Sequence, residues 1–169
     1  YYVPRTALVD HLYQQLCGDD PNKGGHYITV WAPRQTGKTW LLQQVVKQLH
    51  ATGTFEVAIL TLQSAKTEST DEGVLHRFVQ ELQEWFDRPF GPVASWGELA
   101  SLFTERYFSK PLILIIDEFD ALAEPFINRF ANEFRAIYTR RSNQAERTSD
   151  EKSNLLHGLA LIGVRSVLG

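Results

Sequence analysis

Methionine is absent from all 169 residues, and cysteine occurs once, as Cys17. One cysteine rules out an internal disulfide and points to a reducing, cytoplasmic setting. A basic excess is also missing. Lys and Arg total 17 against 20 Asp and Glu, a net charge of −3. The chain therefore shows no electrostatic footprint for a phosphate backbone and gives no strong nucleic-acid signal. Long apolar runs are lacking too. The longest, Leu112 to Ile116, is far short of the ~20 residues that span a bilayer, and no membrane partner is expected. No signal-peptide pattern, repeat or low-complexity tract is evident. The five histidines, His11, His26, His50, His76 and His157, show no paired ligand spacing, so no metal beyond Mg²⁺ is expected.

What is present is a globular composition, 43 % apolar and 22 % charged, which argues against disorder. Short apolar runs alternate with amphipathic stretches, the pattern of a layered α/β fold with a parallel sheet. Strands are expected at Tyr27–Trp31, Phe55–Leu62, Leu112–Ile116 and Leu159–Val164. Helices are expected over residues 6–17, with Leu8, Val9, Leu12 and Leu16 on one stripe, and over 38–50. A third runs from Val74 to Phe86 and includes Trp85 in its apolar face. A Ser95-x-x-Glu98 capping box opens a fourth, to about Tyr107. The last, from Pro125 to about Arg141, carries Phe126, Ile127, Phe130, Phe134, Ile137 and Tyr138 toward the core. Ser142 to Asn154 reads as a mobile polar loop. Cys17 reads as a small core residue.

The first chemical motif is Ala32-Pro33-Arg34-Gln35-Thr36-Gly37-Lys38-Thr39, between a strand and a helix. Its spacing is that of a relaxed phosphate loop, with Ala32 where the stricter pattern has glycine. Such a loop wraps backbone N–H groups around a polyphosphate, which favours small residues and Gly37. Lys38 can reach the β- and γ-phosphates, the Thr39 hydroxyl can ligate Mg²⁺, and the helix that follows points its positive end at the anion.

The second motif is Leu112-Ile113-Leu114-Ile115-Ile116-Asp117-Glu118. Carboxylates at the carboxyl end of a buried strand stand where open α/β sheets bind ligands. Asp117 suits the Walker B role of holding Mg²⁺ through its water shell, and Glu118 suits a general base that polarises the attacking water. Read alone, Asp117, Glu118 and Asp120 are equally an acidic cluster at a helix start. A glutamate directly after this aspartate resembles the additional-strand, catalytic-glutamate division of phosphate-loop NTPases. Arg165 or Ser166, after the fourth strand, is placed to sense the γ-phosphate if that strand lies between the first and third; the bland alternative is a surface arginine. Arg129, Arg135, Arg140 and Arg141 read as a solvated helix face, with an arginine finger for a neighbouring subunit as the alternative.

Tyr1-Tyr2-Val3-Pro4-Arg5, the phosphate loop and Ile115-Ile116-Asp117-Glu118-Phe119-Asp120 together resemble the AAA-like ATPase domains related to the STAND (signal-transducing) NTPases. The likeness covers nearly the whole chain. It implies a three-layer phosphate-loop fold, ATP and Mg²⁺ as cofactors, slow hydrolysis, and a nucleotide-governed switch joined to further domains of the same polypeptide, with homo-oligomers as a possible state. It places Tyr2, Val3, Pro4 and Arg5 near the adenine. Pro33, Arg34, Gln35, Thr36, Gly37, Lys38 and Thr39 fall at the phosphates, Thr39 and Asp117 at the metal, Glu118 at the water, and Arg165 as sensor. Residues 1–169 are expected to be one such core from a longer protein, without its C-terminal strand and lid. Two rivals are a helicase or translocase core, on the likeness of Asp117-Glu118-Phe119-Asp120 to an Asp-Glu-x-Asp box, and a nucleotide-dependent interaction module that does not hydrolyse.

Overall fold

The computed structural model describes residues 5–32 and 37–164. In order these form α1 (Arg5–Cys17), β1 (Tyr27–Ala32), α2 (Lys38–Ala51), β2 (Glu56–Thr61), α3 (Asp71–Phe86), β3 (Leu112–Asp117), α4 (Glu124–Asn143) and β4 (Leu156–Val164). The four strands form one wholly parallel sheet in the order β1-β4-β3-β2. Parallel neighbours need crossovers, and the helices supply them on both faces.

The period-2 alternation of β3 divides the core. Ile113 and Ile115 face α1 and α2, joining Val9, Leu12, Leu16, Leu42, Val45 and Leu49. Leu112, Leu114 and Ile116 face the other way, against α3, α4 and the segment before β3. A strand buried on both faces must be apolar throughout, which explains the run that the sequence displays. On the α4 side Phe130 is the hub. Its ring lies 5.4 Å from Phe78, 4.7 Å from Trp96 and 6.0 Å from Phe134.

Several expectations need correction. Residues 96–107 are not an α-helix: a 3₁₀ stretch spans Trp96–Phe103. The Ser95 hydroxyl does meet Glu98, but by donating to its carboxylate at 3.0 Å rather than capping a backbone N–H. Eight residues placed Trp96, Leu99, Leu102 and Phe103 inward, and a 3₁₀ winding serves that as well as an α-helix. Leu8, Trp85 and Tyr138, assigned to core stripes, are largely exposed. Trp85 instead guards the outer edge of β2, its indole N–H donating to the Val57 carbonyl at 2.9 Å. Tyr138 stands edge-on to Tyr27 at the margin, 4.9 Å between ring centres.

Residues 142–154 are held in place rather than loose. A 3₁₀ turn spans Ser149–Glu151, and Ser149, Lys152 and Asn154 are buried. The cause is Arg141, which is only 4 % exposed and not part of a solvated face. Its guanidinium donates to the carbonyls of Lys23, Ser149 and Asn154 and to the Ser149 hydroxyl. That hydroxyl meets His157 Nδ1 at 2.6 Å, and His157 Nε2 lies 2.8 Å from the Cys17 carbonyl. A carbonyl only accepts, so Nε2 carries the proton and Nδ1 accepts from Ser149. The chain Arg141–Ser149–His157–Cys17 is thereby fully satisfied and ties β4 to the end of α1. Gly158 belongs to the same junction, because a Cβ there would collide with the Leu16 carbonyl. Cys17 is buried, as expected of a small core residue.

Burial, with Arg141 and Lys152 as nearby charges, pushes His157 down to about 4 from its ordinary 6.5. The unfolded chain then binds a proton before the folded one does. Stability tied to this group is complete above pH 6.5 and is lost as pH falls toward 4. Urea unfolding should show roughly 2 kcal/mol less stability at pH 5 than at pH 7 from this group. The His157 ring resonance should stay neutral through that range; titration near the ordinary value would refute the buried network.

Candidate functional site

The site lies at the carboxyl end of the sheet, where β1 and β3 flank β4. β1 ends at Ala32 and α2 begins at Lys38, so the phosphate-loop motif bridges the two. Gly37 has φ 74° and ψ 25°, a left-handed conformation that glycine adopts without penalty, and its carbonyl accepts the first helical hydrogen bond from Leu41 at 3.0 Å. Lys38 therefore opens α2. Across the end of β4, β3 delivers Asp117, level with Thr61 of β2.

These two meet. Lys38 Nζ lies 2.9 Å from Asp117 Oδ1, and each side chain is 18 % exposed. The same carboxylate oxygen accepts the backbone N–H of Glu118 at 2.8 Å. Glu118 stands in left-handed backbone, φ 54° and ψ 39°. That conformation costs a glutamate about 1–2 kcal/mol, so the surrounding structure must hold it. It turns the chain sharply off β3 into a 3₁₀ turn, Phe119–Ala121, whose Phe119 is buried and fixes the turn against the core. Glu118 itself remains half-buried. Thr39, one residue into α2, is exposed.

The structure thus brings Lys38, Thr39, Asp117 and Glu118 to one end of the sheet, as the motifs predict. Arg5 is the first residue of α1. Tyr2, Val3, Pro4, Pro33, Arg34, Gln35, Thr36, Arg165 and Ser166 lie outside the described residues. β4 does run between β1 and β3, the premise on which Arg165 was put forward.

Three placements escaped the sequence reading. Trp31, at the end of β1, lies across Gly163 of β4, where its ring fills the space a Cβ would take. Asp120 approaches the same spot, its carboxyl carbon 3.2 Å from that Cβ position. An isolated glycine inside a strand is the signal that marks such a close approach. Glu81 of α3 accepts from the Thr61 N–H at 3.3 Å, and burial raises its pKa. Nothing in the sequence pointed to it, because its partner is a backbone group reached only through tertiary packing.

The arrangement suits a hard divalent cation beside a polyphosphate. Asp117 and the Thr39 hydroxyl are oxygen donors, and Mg²⁺ takes one or two protein oxygens while keeping its waters. Among the described residues there is no cluster of three His, Cys, Asp or Glu that would bind a softer or fully caged metal.

Sheet order, phosphate-loop junction and strand-end acids define a phosphate-loop NTPase of the three-layer α/β type. The AAA domain family matches residues 22–157, and the chain belongs to it. Its fold is shared with solved structures of origin-recognition proteins. The Drosophila ORC bound to poly(dA/dT) DNA and Cdc6 matches with a TM-score of 0.55 at 14 % identity, over 97 % of this chain and 25 % of that one. The Drosophila ORC bound to DNA gives 0.52 at 17 %, over 98 % and 40 %. The Aeropyrum pernix ORC2 protein, in ADPNP and ADP complexes, gives 0.55 at 19 %, over 96 % and 43 %. This chain thus spans between a quarter and about two fifths of those chains. Comparison with curated proteins gives no significant match. Among the described residues no helix is long and apolar enough to cross a membrane.

The backbone at Glu118 supplies a test that is independent of turnover. Glu118→Asn suits left-handed backbone better and should raise the melting temperature by about 2–4 °C. A melting temperature that stays level or falls would show that the turn carries no strain.

Proposed function

We propose that this domain binds ATP with Mg²⁺, hydrolyses it slowly, and works as a nucleotide-governed switch within a larger polypeptide. The observation that carries this reading is the contact of Lys38 with Asp117 beside Glu118. A lysine at the β1–α2 junction and an acid at the end of β3 are brought together across the end of β4. A phosphate-and-metal site is a functional reason for both. In the proposal Lys38 exchanges Asp117 for the β- and γ-phosphates, and Thr39 and Asp117 hold the ion. The ion would neutralise phosphate charge and orient the leaving group. Glu118 takes the proton of the attacking water. Pro33 to Thr36 complete the phosphate cradle, Tyr2 to Arg5 cover the adenine, and Arg165 senses the γ-phosphate.

The switch reading rests on the resemblance to signal-transducing NTPases and on the greater length of the chains whose fold it shares. An arginine from a neighbouring copy fits the same proposal. Arg129, Arg135 and Arg140 remain exposed along α4, whereas Arg141 is committed to the buried network. A translocase reading has less behind it, because the acidic balance of the chain offers no nucleic-acid track.

Lys38→Ala should abolish ATP binding measured by calorimetry, and unchanged affinity would remove the assignment. Glu118→Gln should retain Mg·ATP while turnover of the full-length protein falls by about 10²–10⁴-fold. A fall below roughly tenfold would assign the base to another group.

A further inference from the structure

At the opposite, amino-terminal end of the sheet, Lys23, Arg141 and Lys152 converge on a cavity of about 210 Å³ that Gly24, Tyr138 and Ser142 also line. Arg141 is 4 % exposed, and Lys152, 8 % exposed over the whole residue, buries its stem while its ammonium still reaches water. The Arg141 guanidinium keeps its full charge while its donors all go to uncharged oxygens. The Lys23 ammonium reaches only the Glu146 carbonyl, at 3.4 Å. Among the described residues the Lys152 ammonium has no hydrogen-bond acceptor, and no carboxylate lies within 4 Å of any of the three cations. Asp19 and Asp20 line the cavity but are exposed to solvent, which screens them.

Three like charges converging on one cavity repel one another. The Lys152 ammonium is pushed down accordingly, by burial and then by Arg141 and Lys23. An anion in the cavity would relieve that repulsion, since Lys152 and Lys23 retain free donors there. We propose that Lys23, Arg141 and Lys152 form a second oxyanion site for a phosphate group, at the end of the sheet remote from Lys38. Arg141 supplies fixed charge, and the two ammonium groups donate the hydrogen bonds. The group arrives either as inorganic phosphate or as a small phosphomonoester. Because Arg141 also holds Ser149 and the start of β4, occupancy stiffens the 142–154 segment.

The test uses inorganic phosphate and glycerol phosphate on the Lys38→Ala protein, so that the nucleotide site does not contribute. At a tenfold excess over its dissociation constant, phosphate should raise the melting temperature by about 4 °C above a sodium chloride control of equal ionic strength. That increment should vanish in Lys152→Met, which keeps the buried stem, and in Lys23→Gln; general salt effects cancel in the comparison. Amide signals of Gly24, Gly25 and Ser142 should shift in the unmodified protein, apart from any shift at Gly37 and Thr39. A response to glycerol phosphate equal to that to the free ion assigns a phosphomonoester, and a response to the free ion alone assigns inorganic phosphate. Equal shifts in the Lys152→Met protein, or no movement of the Gly24 and Gly25 signals, would overturn the proposal. The amide readout stands even if a variant fails to fold.

Discussion

The parallel pairing of β4 with both β1 and β3 is the constraint on which the molecule depends. It puts two elements far apart in the chain on either side of a nine-residue strand. Their carboxyl ends then stand close enough for Lys38 and Asp117 to touch at 2.9 Å. Insertion of β4 also gives β3 neighbours on both edges, so its backbone is satisfied and its side chains are buried on both faces. The acids that follow it are thereby held on a rigid support.

The amino end of β4 is secured by different physics. Beside its apolar packing, a buried chain runs there from Arg141 through Ser149 and His157 to the Cys17 carbonyl. Each group in that chain has a partner, which is the condition under which a buried polar network adds order rather than cost. The network joins α4, the 142–154 segment, β4 and α1, adding polar ties to elements that also share the apolar core. It couples one end of the sheet to pH through His157, and it concentrates positive charge there. The carboxyl end, by contrast, pairs its lysine with an acid. In the two proposals, the ends of one sheet would meet phosphate in opposite ways, one by exchange of an existing partner and the other by a cluster of cations.

The costlier of two left-handed non-glycine positions among the described residues stands where chemistry is proposed. Among the described residues, only Asp87 and Glu118 adopt left-handed backbone without being glycine. Asp87 ends α3, where a short polar side chain tolerates that geometry. Glu118 has no such excuse, and Phe119, buried beside it, shows how the turn is held.

The sequence by itself determined the class of fold, the sites of the strands and the four residues at the end of the sheet. Those features rest on local signals: period-2 apolar runs, a glycine before Lys-Thr, an acid pair at a strand end. Each is encoded within a few neighbouring residues, so it survives reading without a partner. What only the tertiary structure decided depends on residues distant in the chain. Arg141 reads as one of four helix arginines until Lys23, Ser149 and Asn154 close around it. His157 reads as a lone histidine until α1 brings the Cys17 carbonyl to its ring. The 96–103 segment winds as 3₁₀ although its capping box suits an α-helix, because either winding buries its apolar residues and the local preference is worth only tenths of a kcal/mol per residue. Polar networks and helix type are settled by long-range packing, and packing across the sheet is what a linear pattern does not carry.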